Sequence, residues 1–171
     1  LRAAYPGAVV IGAPGRRGYA GAMGFVWSYL AAPKRAGFVP RYVFHLEDDF
    51  TFDRPVDLDV LRLIQEQHPY LSQVALLRGA YFPRELRAGG IVEEHPEAYE
   101  RKRNGLGEWM EHRLVWTCNP NLYRRDLCAR GWPQAKGSEG VITRSLNEDP
   151  ANRMAYLGDG TPWVTHIGAE R

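Results

Sequence analysis

Cysteine, net charge and long apolar runs are all scarce in this sequence, and each scarcity narrows its function. Cys118 and Cys128 are the only cysteines. With no CxxC spacing between them, both read as reduced thiols of an intracellular, cytoplasmic protein. A formal charge of +2, without a basic run or stripe, gives no electrostatic case for nucleic acid. No apolar run approaches the length of a membrane helix, and no secretory signal pattern opens the chain. Internal repeats, low-complexity tracts and linkers are absent too, so residues 1–171 read as one domain large enough for a real core. The first residue is Leu1 instead of Met, and the chain reads as a piece of a longer protein.

What is present alternates between strand and helix signals. AVVIGAP (Ala8 to Pro14) is a short β-branched run closed by Gly and Pro, a strand signal. GRRGYAGAMGFVWSYLAAP passes from a glycine-rich turn into a helix ending near Pro33, and RYVFHL gives a second strand. Strand, helix and strand in this order suggest a right-handed parallel crossover. VDLDVLRLIQEQHP places Leu58, Leu61 and Ile64 at helical spacing, with Asp57 as N-cap and Pro69 as stop. SQVALLRG and LVWTC read as strands, and NPNLYRRDLCARG as a turn leading into a short helix. KGSEGVITRSLNED reads as a helix opened by Ser138, and MAYLG and WVTHIG as final strands. From Ala80 to about Arg113 no period is legible, and so long a patternless stretch is expected to be functional or partly helical.

The chemistry concentrates in HLEDDF, where Glu47, Asp48 and Asp49 follow a strand. Ligands of open α/β sheets bind at the carboxyl ends of strands. Consecutive carboxylates there repel unless a hard cation or a ligand hydroxyl stabilises them, and all-oxygen donors favour magnesium or manganese. A solvated acidic loop is the plainer reading of the same triplet. His166, near the end of WVTHIG, is a candidate fourth donor that shifts the preference toward manganese, although a single histidine is more often structural. Glu139 opens a helix with Arg144 five residues on. It is either a favourable dipole contact or a general base. GRRGYAGAM offers amide groups at a helix start beside Arg16 and Arg17, a phosphate cradle or simply a tight turn. It lacks both the Walker ending and the full GxGxxG pattern. Trp109, Trp116 and Trp132 flank polar segments and are candidates for stacking on an acceptor sugar, with plain packing as the alternative.

Taken in order, RGYAGAM, YVFHLEDDF, CNPNLYRRDL, SEGVITRSL and THIG resemble a nucleotide-sugar glycosyltransferase of the GT-A fold, closest to the family 2 type. The resemblance spans residues 8 to 168. It implies a three-layer, Rossmann-like α/β fold with a mixed sheet flanked by helices. The family's first two strands and helix have no counterpart upstream of AVVIGAP, which implies truncation or, as the alternative, a base-binding edge built differently. By the same resemblance Asp49 is the ligand of Mn2+ or Mg2+, with His166 matching a C-terminal metal histidine of part of the fold. Glu47 and Asp48 serve the nucleotide sugar, as do Arg17, Gly18, Asn119 and Asn121. Glu139 and Arg144 match the family's base signature, with Gly140 standing where the second acid is usual. The implied activity is inverting, hexosyltransferase-like transfer from a nucleoside diphosphate sugar to a carbohydrate or other hydroxyl acceptor. A metal-dependent nucleotidyltransferase or phosphohydrolase, or a non-catalytic sugar-nucleotide-binding module, would use the same residues.

Overall fold

The structure, a computed structural model, describes residues 11, 15, 17–32 and 39–168. The expected strand at Ala8 to Pro14, Ile11 apart, lies outside these residues, and so do the first half of the expected crossover and Arg16. Helix α1 (Gly18–Ala31) starts at the glycine-rich turn. Strands β1 (Tyr42–His45) and β2 (Phe50–Phe52) bracket the acidic triplet. Helix α2 (Leu58–Gln67) is capped by Asp57, whose carboxylate accepts from the Asp59 amide at 2.9 Å, and it stops before Pro69. Leu61 and Ile64 turn inward, whereas Leu58 stays exposed.

Strand β3 (Leu71–Leu76) is buried along its whole length. The patternless stretch then folds as α3 (Pro83–Ala88), α4 (Ile91–Glu94) and a hairpin of β4 (Glu100–Asn104) and β5 (Gly107–His112). After β6 (Asn121–Arg124) the chain makes a 3-10 segment, Arg125–Arg130. Helix α5 (Ser138–Asn147), β7 (Arg153–Leu157) and β8 (Val164–His166) complete the described chain.

Six strands form one mixed sheet in the order β1-β6-β3-β7-β5-β4, and β2 pairs with β8 in a separate two-stranded ladder. Only β3 and β7 are parallel neighbours; the other four pairings of the large sheet are antiparallel. Alternation along β6 and β7 sorts side chains to two faces. Tyr123 and Met154 join Met23 and Trp27 of α1 and Ile142 and Leu146 of α5, while Leu122 and Ala155 meet Leu61 and Ile64 of α2. Helices therefore cover both faces of a mixed α/β sheet. Among the described residues no helix is long and apolar enough to cross a membrane.

Two sequence expectations are corrected. LVWTC is no strand: 115–118 runs extended without a ladder, because side chains satisfy its backbone. The Trp116 amide donates to Thr143 Oγ1 at 2.8 Å and the Cys118 amide to Glu139 Oε1 at 2.7 Å. Gln73 clamps Thr117 from both sides, its Nε2 donating to the carbonyl at 2.6 Å and its Oε1 accepting from the amide at 3.1 Å. Second, Asn121–Arg124 is a strand and not part of a turn; it pairs with β1 on one side and β3 on the other. The helix expected to open at Ser138 does so: α5 begins there, after Gly137 in the left-handed region (φ 67°).

Gly24 sits against the side chain of Gln134. A Cβ at Gly24 would fall 2.2 Å from the Gln134 amide nitrogen, which itself donates to the Ala20 carbonyl. Trp27, fully buried, anchors the same helix among Trp116, Tyr123 and Trp132, with ring centroids 5.0–6.1 Å apart. Trp27→Ala is expected to cost about 3–5 kcal/mol, and Val26→Ala, on the exposed side of the helix, within about 0.5 kcal/mol of nothing. Denaturant unfolding midpoints of the two variants check the difference. Equal losses would mean that α1 does not pack as described.

Candidate functional site

The acidic triplet occupies the connection from β1 to β2, with Asp48 exposed and Glu47 and Asp49 half-buried. Antiparallel pairing sets Phe50 opposite His166, and the turn before it brings Asp49 Oδ2 to 3.2 Å from His166 Nε2. The Ile167 amide donates to the Asp49 carbonyl at 2.8 Å, fixing the turn from the other side. Tyr81 stands edge-on to His166, centroids 4.4 Å apart, while its hydroxyl donates to the Gly168 carbonyl at 3.0 Å.

Glu47, Asn119, Glu139 and His166 line one cavity of about 610 Å³. Glu139 lies in the first turn of α5, where the helix dipole favours an anion. Burial nevertheless pushes its pKa above the ordinary carboxylate value. The hydrogen bond from the Cys118 amide pulls the other way, and nearby Glu47 adds to the rise. Burial also raises the Tyr19 hydroxyl and the Cys118 thiol, which lie beside each other on the cavity wall.

Arg78, just past β3, and Arg84, paired with Glu94 at 3.1 Å, contribute guanidinium groups to the wall, and Arg78 is already committed. Its Nη1 and Nη2 donate to Glu85 at 2.7 and 2.9 Å. Burial alone would raise Glu85, but Arg78 and the amides of Tyr81 and Phe82 outweigh it and hold the carboxyl below its usual value. Tyr19, Arg78, Tyr81 and Cys118 were not singled out as site residues in the sequence. Tyr81 had a weak signal, at the start of the patternless stretch, and Tyr19 another, inside RGYAGAM. Cys118 likewise opens CNPNLYRRDL, whereas Arg78 has no local signal and only long-range folding delivers it.

Other sequence candidates do not line the cavity. Arg17 is exposed and rests over the Phe25 ring at 4.9 Å, and Gly18 adopts φ 62° at the helix start. Arg144 is exposed and lies over Gly140, 3.7 Å from where a Cβ there would sit. Asn121 is buried and donates to the carbonyls of Asn119 and Thr117 at 2.6 and 3.2 Å, bracing the turn from within. The three tryptophans proposed to meet an acceptor are corrected outright: Trp109, Trp116 and Trp132 are 2%, 1% and 5% exposed. Trp109 gives its indole N–H to Glu111 at 2.9 Å, and the other two pack on Trp27.

The donor set at Asp49 and His166 fits the manganese or magnesium that the resemblance implies. Adjacent ligands on an ion with bonds of about 2.1 Å stand about 3.0 Å apart, close to the 3.2 Å between Oδ2 and Nε2. Asp49 Oδ1 is buried without a hydrogen-bond partner. A Cβ on residue 168 would stand 2.7 Å from Asp49 Oδ2 and 3.0 Å from His166 Nε2, so Gly168 keeps the space beside both donors open. A carboxylate with an imidazole suits manganese better than magnesium.

Comparison of the chain with protein families, with curated proteins and with solved structures gives no match in any of the three.

Proposed function

We propose that this protein is a metal-dependent glycosyltransferase that moves a sugar from a nucleoside diphosphate sugar to an acceptor hydroxyl, with inversion at the anomeric carbon. One observation carries the reading. The half-buried carboxylate of Glu139, with its raised pKa, shares a cavity with Glu47 and with His166, whose Nε2 contacts Asp49. The volume of about 610 Å³ is in the range of small-molecule sites. The GT-A fold is part of the proposal, and a mixed sheet with helices on both faces is compatible with it.

Asp49 and His166 would hold the metal, which supplies Lewis-acid neutralisation of the leaving diphosphate. Glu139 would take the proton of the acceptor hydroxyl as its oxygen bonds to the anomeric carbon. The bond to the diphosphate oxygen breaks on the opposite face, its electron pair leaving with the nucleoside diphosphate. A raised pKa brings a carboxylate nearer to neutrality, where a general base is more effective. Glu47 and Asn119 line the donor side. Arg78, locked on Glu85, holds the wall in shape and has little capacity left for phosphate.

Calorimetric titration with UDP and GDP, with and without manganese, tests the donor site. Binding that requires manganese and disappears in Asp49→Ala is expected. Binding indifferent to both would remove the metal assignment, and release of phosphate or pyrophosphate during turnover would assign chemistry at phosphorus instead. Glu139→Gln is expected to lose about 10²–10⁴ in rate with donor and metal saturating.

The same substitution is expected to stabilise the fold in chelator-containing buffer at neutral pH. A carboxyl whose folded pKa exceeds its unfolded value contributes most to stability below the unfolded pKa, and that contribution is lost as pH rises through the folded pKa. Gln does not pay that cost at neutral pH, so the variant melts higher there, and the gap closes on acidification. Thermal melts across pH check it; a variant that melts lower throughout would show that Glu139 is a structural acceptor above all.

A further inference from the structure

A second donor set lies near the same cavity and plays no part in the chemistry above beyond sharing Glu47. His45 at the end of β1, Glu47 two residues on and Cys118 in the extended segment each bring one ligand atom within 4.8 Å of the others. His45 Nε2 stands 3.4 Å from Glu47 Oε1. An imidazole, a carboxylate and a thiol form a nitrogen, oxygen and sulfur set, which selects zinc-like ions over magnesium or calcium. Ligands around a tetrahedral zinc lie about 3.4–3.6 Å apart, so rotation of the side chains by roughly 1 Å closes the set.

The surroundings favour a cation as well. Glu47 and Glu139 both lie close enough to Cys118 to act on its thiol. Among the described residues the ion-pair partner of Glu47 is His45, and Arg78 is spent on Glu85. Cys118 is buried, and both it and Glu47 line the cavity, so three protein donors leave a coordination position facing open space.

We propose that His45, Glu47 and Cys118 form a binding site for a soft divalent cation such as zinc, distinct from the Asp49 and His166 pair, with its free coordination position directed into the cavity. The site does not depend on glycosyl transfer. It meets that reading at Glu47, which both share, and at Cys118, whose thiol neighbours Glu139.

The test uses the full chain, reduced and freed of metal, titrated with cobalt(II). A sulfur-to-cobalt charge-transfer absorption in the near ultraviolet is expected, saturating at one ion per chain and displaced by zinc. With only two cysteines present the assignment is direct: Cys118→Ser abolishes the band and Cys128→Ser keeps it. His45→Gln and Glu47→Gln are each expected to weaken cobalt binding by about tenfold or more, the least that even an outer-sphere partner contributes. Asp49→Ala keeps the band while losing manganese-dependent nucleotide binding, which separates failure of this site from failure of the transferase reading. No band in the folded wild type, or a band that survives Cys118→Ser, overturns the proposal. If Cys118→Ser fails to fold by circular dichroism, unchanged cobalt affinity in both His45→Gln and Glu47→Gln overturns it instead.

Discussion

The hydrogen bonds from buried side chains to the backbone of Trp116, Thr117 and Cys118 are the constraint on which the rest of the site depends. A buried amide without a partner costs about 1–3 kcal/mol. Here Thr143, Gln73 and Glu139 supply the partners that a neighbouring strand would otherwise supply. Gln73 comes from the central strand, Thr143 and Glu139 from α5, so one extended segment ties the sheet to the helix that carries the proposed base. Thr143 strengthens the tie by donating from its hydroxyl to the Glu139 carbonyl at 2.6 Å. The segment also delivers Cys118 and Asn119 to the cavity wall.

That tie explains why a carboxylate survives burial at residue 139. Desolvation penalises the ion, whereas the Cys118 amide and the helix N-terminus both favour it, and desolvation still wins. A carboxyl fully relieved of that tension would be a weak base at neutral pH. A fully apolar pocket would keep it protonated. The Cys118 amide at 2.7 Å limits the rise, and the neighbouring Glu47 adds to it.

Much of this was legible from local signals. The cap at Asp57, the stop before Pro69 and the strands Leu71–Leu76, Arg153–Leu157 and Val164–His166 follow from periodicity and turn chemistry. Glu47, Glu139 and His166, which share the cavity, carry a local signal too, because each lies where a strand or helix opens or closes. LVWTC failed because its apolar pattern is a strand's while its hydrogen-bond partners are side chains distant in sequence. Nothing local reports that Gln73 will occupy the place of a strand. The tryptophans failed for a related reason: residue type gives hydrophobic area and one N–H, and only the fold decides that Glu111 takes the N–H of Trp109. The β4–β5 hairpin was hidden by charge, since GluArgLysArgAsn presents no apolar face; its outer strand is largely exposed.

The site is assembled by two devices that share little. One is the clamp on 116–118, which sets Glu139 and Cys118. The other is the β2–β8 ladder, which sets Asp49 and His166 through the pairing of Phe50 with His166 and the contact of Ile167 with Asp49. The ladder is short and largely exposed, whereas the clamp is buried, so they differ in the stability of their local structure. Loosening the ladder would move the Asp49 and His166 donors while leaving Glu139 in place. Gly168 accepts from Tyr81 and leaves open the space beside Asp49 and His166.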